Sequence, residues 1–141
     1  MKLKELLENV EIIELHAEPD TEIGDISYDS RRTRKGDLFV AIRGFESDGH
    51  RFIGTAVSVG ASVIVCEEKP MESIPYVLVK NSREALALVS RNYFGDPSQR
   101  MKLVGVTGTN GKTTTTMLIK HVLEDYTGFK CGLIGTNQNM I

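Results

Sequence analysis

The stretch Leu103-Val-Gly-Val-Thr-Gly-Thr-Asn-Gly-Lys-Thr-Thr114 joins an apolar run to a glycine-rich turn and then to a run of threonines. Its first four residues predict a strand, and the spacing of apolar residues after it predicts a helix from about Thr113 to Tyr126. A further apolar run, Cys131–Ile134, predicts another strand. Gly108 and Gly111 let the backbone turn tightly and point successive N–H groups into one concavity. The N-terminal end of the following helix adds positive potential there, so the segment forms an anion site. Lys112 is placed to reach β- and γ-phosphate oxygens, and Thr113 to offer its hydroxyl to Mg²⁺. The segment therefore reads as a nucleoside triphosphate site formed by Gly108, Thr109, Asn110, Gly111, Lys112, Thr113 and Thr114. The strict pattern GxxxxGK[ST] needs glycine at position 106, where this chain has Val106, and Gly105 lies one residue too early. The plainer reading is a glycine-rich connection with a surface lysine. A dinucleotide-binding reading is weaker, because no G-x-G-x-x-G follows any predicted strand.

Working back from this loop, Gly95-Asp96-Pro97-Ser98 interrupts the chain, and residues 1–98 show their own alternation of elements. Leu3, Leu6, Leu7 and Val10 mark one helical face, and Glu11–Leu15 is a short extended stretch. Strands are predicted at Ile23–Tyr28, Asp37–Ile42, Ser62–Cys66 and Tyr76–Val79. Phe52, Ile53, Ala56 and Val57 mark a helix ending at Gly60, and Asn81 with Glu84 caps a helix over Arg83–Tyr93. Strands alternating with helices imply an α/β fold with a mostly parallel sheet covered on both faces. A unit of about 40 residues cannot close its own core. Residues 1–98 are therefore expected to form one domain and 99–141 the opening of a second, larger one. An incomplete second domain should expose Leu103, Val104, Val106, Ile119 and Leu133.

Composition narrows the function classes. The 141 residues carry 17 basic and 19 acidic side chains, a formal charge of −2, with 40% hydrophobic residues. That is a globular composition, not a disordered one. A pI of about 5.9 argues against a general nucleic-acid binder, which needs a basic surface. No apolar run approaches the ~20 residues of a membrane span, and the N-terminus breaks its leucines with charge, unlike a signal peptide. Cys66 and Cys131 sit in apolar runs without a CxxC and read as buried thiols of a reducing, cytoplasmic compartment. The near-zero total hides a change of sign. Lys4 to Asp25 is mainly acidic, whereas Arg31, Arg32, Arg34, Lys35, Arg43 and Arg51 dominate the next stretch, and local fields of this kind steer charged ligands.

The runs Ile26-Ser-Tyr-Asp-Ser-Arg31, Lys35-Gly-Asp-Leu-Phe-Val-Ala-Ile-Arg-Gly44, Asp48-Gly-His-Arg-Phe-Ile53 and Ala56-Val-Ser-Val-Gly-Ala61 resemble the uridine-nucleotide domain of the Mur ligases. Thr107-Gly-Thr-Asn-Gly-Lys-Thr113 is similar to the ATP loop of the same family, and the two motifs stand in the family's order. The resemblance covers about residues 23–141. It implies a uridine-nucleotide domain over 1–98, followed by the first strand–P-loop–helix–strand unit of a central ATPase domain. It also implies an ATP- and Mg²⁺-dependent, amide-forming ligase of peptidoglycan precursor synthesis. The form Thr-Gly-Thr-Asn-Gly-Lys-Thr-Thr-Thr is most like the members that add a diamino acid, meso-diaminopimelate or L-lysine, to UDP-MurNAc-L-Ala-D-Glu through an acyl phosphate. Members that add D-Ala-D-Ala share the first motifs but usually carry serine-rich loops.

By the same resemblance Ser30 contacts the uridine nucleotide with Tyr28 beside it, and Phe45, Glu46 and Ser47 line the pocket. Lys112 is then the catalytic cation. From the residues alone, Ser30 before two arginines suits either a phosphate or pyrimidine contact or a turn cap. Asp29 with Arg31 suits a salt-linked turn, and His50 suits a turn better than a catalytic base. The family enzymes have three domains, so these 141 residues are expected to bind without catalysing alone. A stand-alone uridine-binding module and an unrelated P-loop phosphotransferase are the competing readings.

Overall fold

A computed structural model describes residues 1–44, 47–71, 73–136 and 139–140, which fold as two compact units, Met1–Arg100 and Met101–Ile141. In the first unit, in chain order, are α1 (Leu3–Leu6), β1 (Ile12–His16), β2 (Ile26–Ser27), β3 (Leu38–Val40), α2 (Ile53–Ser58), β4 (Val63–Cys66), β5 (Tyr76–Val79) and α3 (Ser82–Tyr93). A single 3₁₀ turn, Gly49–Phe52, leads into α2. The strands form one sheet in the order β1-β5-β4-β3-β2. The β2/β3, β3/β4 and β4/β5 pairs are parallel, and β1 adds an antiparallel edge beside β5.

The central strands β3 and β4 are buried at every position, as near-continuous Val/Ile/Phe runs should be when both faces are covered. Alternate residues go to opposite cores. Leu38, Val40, Val63, Val65, Val77 and Val79 pack on one face against Leu3 and Leu6 of α1 and Ala85 and Val89 of α3. Phe39, Ala41, Ile64 and Cys66 pack on the other against Ile53 and Ala56 of α2. Leu3 and Leu6 are fully buried, each worth about 1.5–3 kcal/mol by removal from water.

Several elements are shorter than the sequence predicts; the strands expected over Asp37–Ile42 and Cys131–Ile134 keep Leu38–Val40 and Leu133–Ile134. The helix expected to reach Val10 stops at Leu6, because Asn9 takes a left-handed φ of 62° and ends it. The strand expected over Ile23–Tyr28 keeps only Ile26–Ser27. Its earlier backbone groups are bonded elsewhere, Ile23 N–H to Met1 O at 2.9 Å and Gly24 N–H to Gly36 O at 2.9 Å.

The second unit holds α4 (Lys112–Thr127) and a two-stranded antiparallel ribbon of β6 (Leu133–Ile134) and β7 (Asn139–Met140). The strand predicted at Leu103–Val106 is not formed. A strand requires a neighbour to receive its N–H and C=O groups, and among the described residues none pairs with this run. Leu103 and Val104 are exposed as expected, whereas Leu133 is buried because β6 packs on α4. Lys120 holds that packing: its ammonium bonds Glu124 and, at 2.7 Å, Cys131 O, while Glu124 Oε1 accepts Cys131 N–H at 2.9 Å. The Lys120 ammonium, then the Cys131 N–H, keep the Glu124 carboxyl below its usual range. Among the described residues no helix is long and apolar enough to cross a membrane.

Candidate functional site

Two sets of residues follow the sequence motifs, one in each unit. In the first unit, the turn leaving β2 is built around Asp29. Its carboxylate accepts Arg31 N–H at 3.0 Å and, in a two-pronged pair, Arg31 Nε at 2.9 Å and a terminal nitrogen at 2.8 Å. The Arg31 guanidinium and backbone N–H hold the Asp29 pKa down at about 2. Beneath it, Asp29 O accepts the hydroxyls of Ser27 at 3.0 Å and Thr33 at 3.1 Å, and those two hydroxyls meet at 2.9 Å. The salt-linked turn read from the sequence is therefore present.

This turn presents Ser30. The residue is 8% exposed, and among the described residues its hydroxyl makes no hydrogen bond, while Ser27 and Thr33 on either side are fully engaged. A serine that capped the turn would spend its oxygen on it, and this one does not. Tyr28 is 64% exposed next to it and suits an open contact surface. Both lie just beyond the carboxyl end of a parallel strand, where α/β sheets bind ligands. A groove of about 480 Å³ is lined by residues of the same turn, among them Tyr28, Asp29, Arg31, Arg32 and Arg34. Ser30 does not line it. Of the loop expected to share this pocket, Ser47 is exposed, and Phe45 and Glu46 lie outside the described residues.

Near the carboxyl ends of β3, β4 and β5 the structure gathers residues that the sequence analysis did not group. Glu67 Oε1 accepts Ser82 N–H at 2.9 Å and Ser82 Oγ at 2.8 Å, joining the end of β4 to the start of α3. Burial raises the Glu67 pKa, but the Ser82 donors and the Arg43 cation outweigh it and leave the carboxyl below its usual range. Arg43 bonds Glu68 at 2.5 Å and lies 3.7 Å from Asp48. A groove of about 560 Å³ opens here beside Arg43, Glu67, Asn81, Arg83 and Glu84. Its residues come from four separate segments, so only the predicted strand ends could have marked them.

In the second unit, the phosphate-loop residues stand together at the start of α4. Gly108 has φ +146° and Gly111, the N-cap of α4, has φ +77° with nothing within 4 Å of where a Cβ would sit. These glycines are required by conformation rather than by space. Lys112 folds its ammonium back into the loop, bonding Gly108 O at 2.6 Å and Thr109 O at 3.4 Å. The cation thus sits inside the turn that would cradle an anion, with carbonyls in place of phosphate oxygens. Thr113 and Thr114 are exposed at the first turn of the 16-residue α4. The Thr113 hydroxyl is unbonded among the described residues, which suits a single metal contact. No cluster of three metal-binding side chains occurs among the described residues.

The comparisons agree with this division. The family descriptions "Mur ligase family, catalytic domain" and "Mur ligase middle domain" match residues 22–94 and 106–141. The UDP-N-acetylmuramoyl-L-alanyl-D-glutamate–2,6-diaminopimelate ligase of Clostridium tetani is 49% identical over all of this chain, which covers 30% of that protein. Among solved structures, the UDP-N-acetylmuramoylalanyl-D-glutamyl-2,6-diaminopimelate–D-alanyl-D-alanyl ligase of Acinetobacter baumannii is 29% identical with a TM-score of 0.66, matching 88% of this chain and 28% of that one. The MurF ligase of Thermotoga maritima, solved in complex with ADP, is 35% identical with a TM-score of 0.55 over 75% of this chain and 24% of its own. The chain thus spans about 30% of the length of the curated relatives it matches.

Proposed function

The chain belongs to the Mur ligase family, and from that premise we propose that it supplies the uridine-nucleotide module and the ATP loop of a ligase adding a diamino acid to UDP-MurNAc-L-Ala-D-Glu. The supporting observation is the pairing, in one chain, of an unengaged and nearly buried Ser30 with a Lys112-filled anion cradle. The match over all of this chain to part of a diaminopimelate-adding enzyme favours that reading over the D-Ala-D-Ala-adding alternative. Residues 1–98 act as the uridine-nucleotide domain and 99–141 as the opening of the ATP-binding domain. The reaction is cytoplasmic on this reading.

In the proposed reaction the terminal carboxylate of the UDP-linked substrate takes the γ-phosphoryl group of ATP, releasing ADP. The amine of meso-diaminopimelate or L-lysine then displaces phosphate and loses a proton to leave the amide. Backbone N–H groups from Gly108 to Thr114 orient the nucleotide phosphates, and Lys112 exchanges its two carbonyl contacts for phosphate oxygens. A fixed cation at that point stabilises charge on the transferring group, the main protein contribution to phosphoryl transfer. Mg²⁺, when bound, supplies further neutralisation, with the Thr113 hydroxyl as a ligand from this chain. Ser30, Tyr28 and the loop Phe45-Glu46-Ser47 hold the uridine end of the substrate. The 141 residues alone bind without forming the amide.

Calorimetric titration with UDP-MurNAc-L-Ala-D-Glu, UDP and Mg-ATP, for wild type and Ser30→Ala, tests the reading. The expected result is uridine-ligand binding that weakens about 3–10-fold in Ser30→Ala, the worth of one hydrogen bond. The melting temperature should not change, because the hydroxyl holds nothing in the fold. Binding of ATP without any uridine ligand would overturn the assignment.

A further inference from the structure

We infer that Thr33 is a positioning residue for the uridine contact: its hydroxyl locks the turn over residues 29–33 onto β2 and so fixes Ser30, which that turn presents. The inference rests on the uridine-module reading given above.

Asp29 O is the hub of the turn. It accepts Arg32 N–H at 2.9 Å and Thr33 N–H at 3.1 Å, so the segment closes as a single helical turn with Ser30 at its start. The Thr33 hydroxyl reaches the same carbonyl at 3.1 Å and the Ser27 hydroxyl at 2.9 Å, and Ser27 Oγ lies 3.0 Å from Asp29 O. Ser27 belongs to β2 and pairs with Phe39 of β3. Thr33 thus ties the far end of the turn both to its near end and to the sheet. Two hydroxyl protons serve these three contacts, and each hydroxyl always has an acceptor within the group. Ser27 and Thr33 are both buried, so their bonds are shielded from competing water.

Ser30 is as buried as these two neighbours yet takes no part in the exchange. Its oxygen still meets solvent, because among the described residues the one fully enclosed side-chain nitrogen or oxygen without a partner is Arg91 Nε. The turn therefore holds a free, reachable hydroxyl in a fixed place. A serine on a loose turn must be ordered by its ligand, and that cost lowers affinity. Removing the Thr33 hydroxyl leaves Asp29 O its backbone donors but frees the end of the turn from β2. The apparent affinity then falls by the fraction of molecules with the turn in place.

The test is a double-mutant cycle on the dissociation constant of the 141-residue chain for UDP-MurNAc-L-Ala-D-Glu, with melting temperatures measured in parallel. Valine keeps the shape of threonine and the N–H bond to Asp29 O but lacks the hydroxyl, whereas serine keeps the hydroxyl. Thr33→Val is expected to weaken binding about 3–10-fold and no further than Ser30→Ala does, because it acts through that one hydrogen bond. Thr33→Ser is expected to bind like wild type. In the Ser30→Ala background, Thr33→Val should cost nothing more. A general loosening of the fold cannot produce that coupling, since it weakens binding with or without the Ser30 hydroxyl. Additive losses overturn the inference, and so does wild-type affinity in Thr33→Val. If Thr33→Val shows no cooperative melting, Ser27→Ala takes its place in the cycle. It removes the other end of the link, so the same coupling to Ser30 is expected and additivity again overturns the inference. A wild-type chain that binds no uridine ligand overturns the parent reading first, before any variant is made. Wild-type binding that Ser30→Ala leaves unchanged overturns the inference while sparing the module.

Discussion

Lys112 and Asp29 show two uses of charge at the level of single residues. Lys112 is exposed and spends its ammonium on two loop carbonyls, so its removal costs the fold little. Lys112→Ala should weaken Mg-ADP and Mg-ATP binding about tenfold or more, the loss of about 1.5–3 kcal/mol carried by hydrogen bonds to charged groups. Calorimetry on the variant checks this, and an unchanged melting temperature separates it from unfolding. Asp29 works within the fold. Its carboxyl is lowered from 3.8 to about 2 by the Arg31 guanidinium and N–H. A depressed folded-state pKa stabilises above the unfolded value and is lost as the pH falls through the folded one. The contribution is thus complete above pH 3.8 and fades towards about pH 2. Asp29→Asn should be less stable at neutral pH and show a shallower loss of stability between those two values, measured as urea midpoints against pH.

Among the elements, the segment from β3 to α2 depends on close backbone approach. A Cβ on Gly49 would sit 2.7 Å from both Ile42 N and Ile42 O, backbone atoms that cannot move aside without breaking the Gly49 N–H bond to Ile42 O. Gly49→Ala should lower stability by about 1–3 kcal/mol, as overpacking does. Urea unfolding should show a lower midpoint at unchanged slope. Gly105→Ala is the control: nothing lies within 4 Å of its would-be Cβ and its φ is not positive, so it should be nearly neutral. In α3 the Asn81 side chain accepts Arg83 and Glu84 N–H at 3.1 and 3.2 Å, so of the expected pairing with Glu84 the Asn81 half is formed. Two of the elements that fell short of their predicted length did so where the backbone found another partner, as at Ile23, or turned left-handed, as at Asn9.

For the whole molecule, the two cysteines report on different depths. Cys66 is fully buried in β4, and burial pushes its thiol up to about 12. Cys131 is half-buried beside Lys120. Because the thiolate is the reactive form, a maleimide at neutral pH should modify Cys131 rapidly in the native chain and Cys66 only as the first unit opens. Mass spectrometry of a labelling time course gives both rates, and fast labelling of Cys66 would contradict the buried β4.

The sequence by itself determined whatever is contiguous or strictly periodic. The glycine–lysine turn lies within a dozen residues because consecutive residues of one turn build it. Asp29 and Arg31 meet within one turn, and the apolar runs of β3 and β4 declare a doubly covered sheet. Only the tertiary structure decided the antiparallel placement of β1, the unpaired state of Leu103–Val106, and the links from His50 to Glu67 and from Glu67 to Ser82. Each of these depends on a partner 15 or more residues away, or on its absence. A strand pairing or a side-chain bond across that distance is fixed by where the sheet brings two segments, which no local pattern of residues encodes.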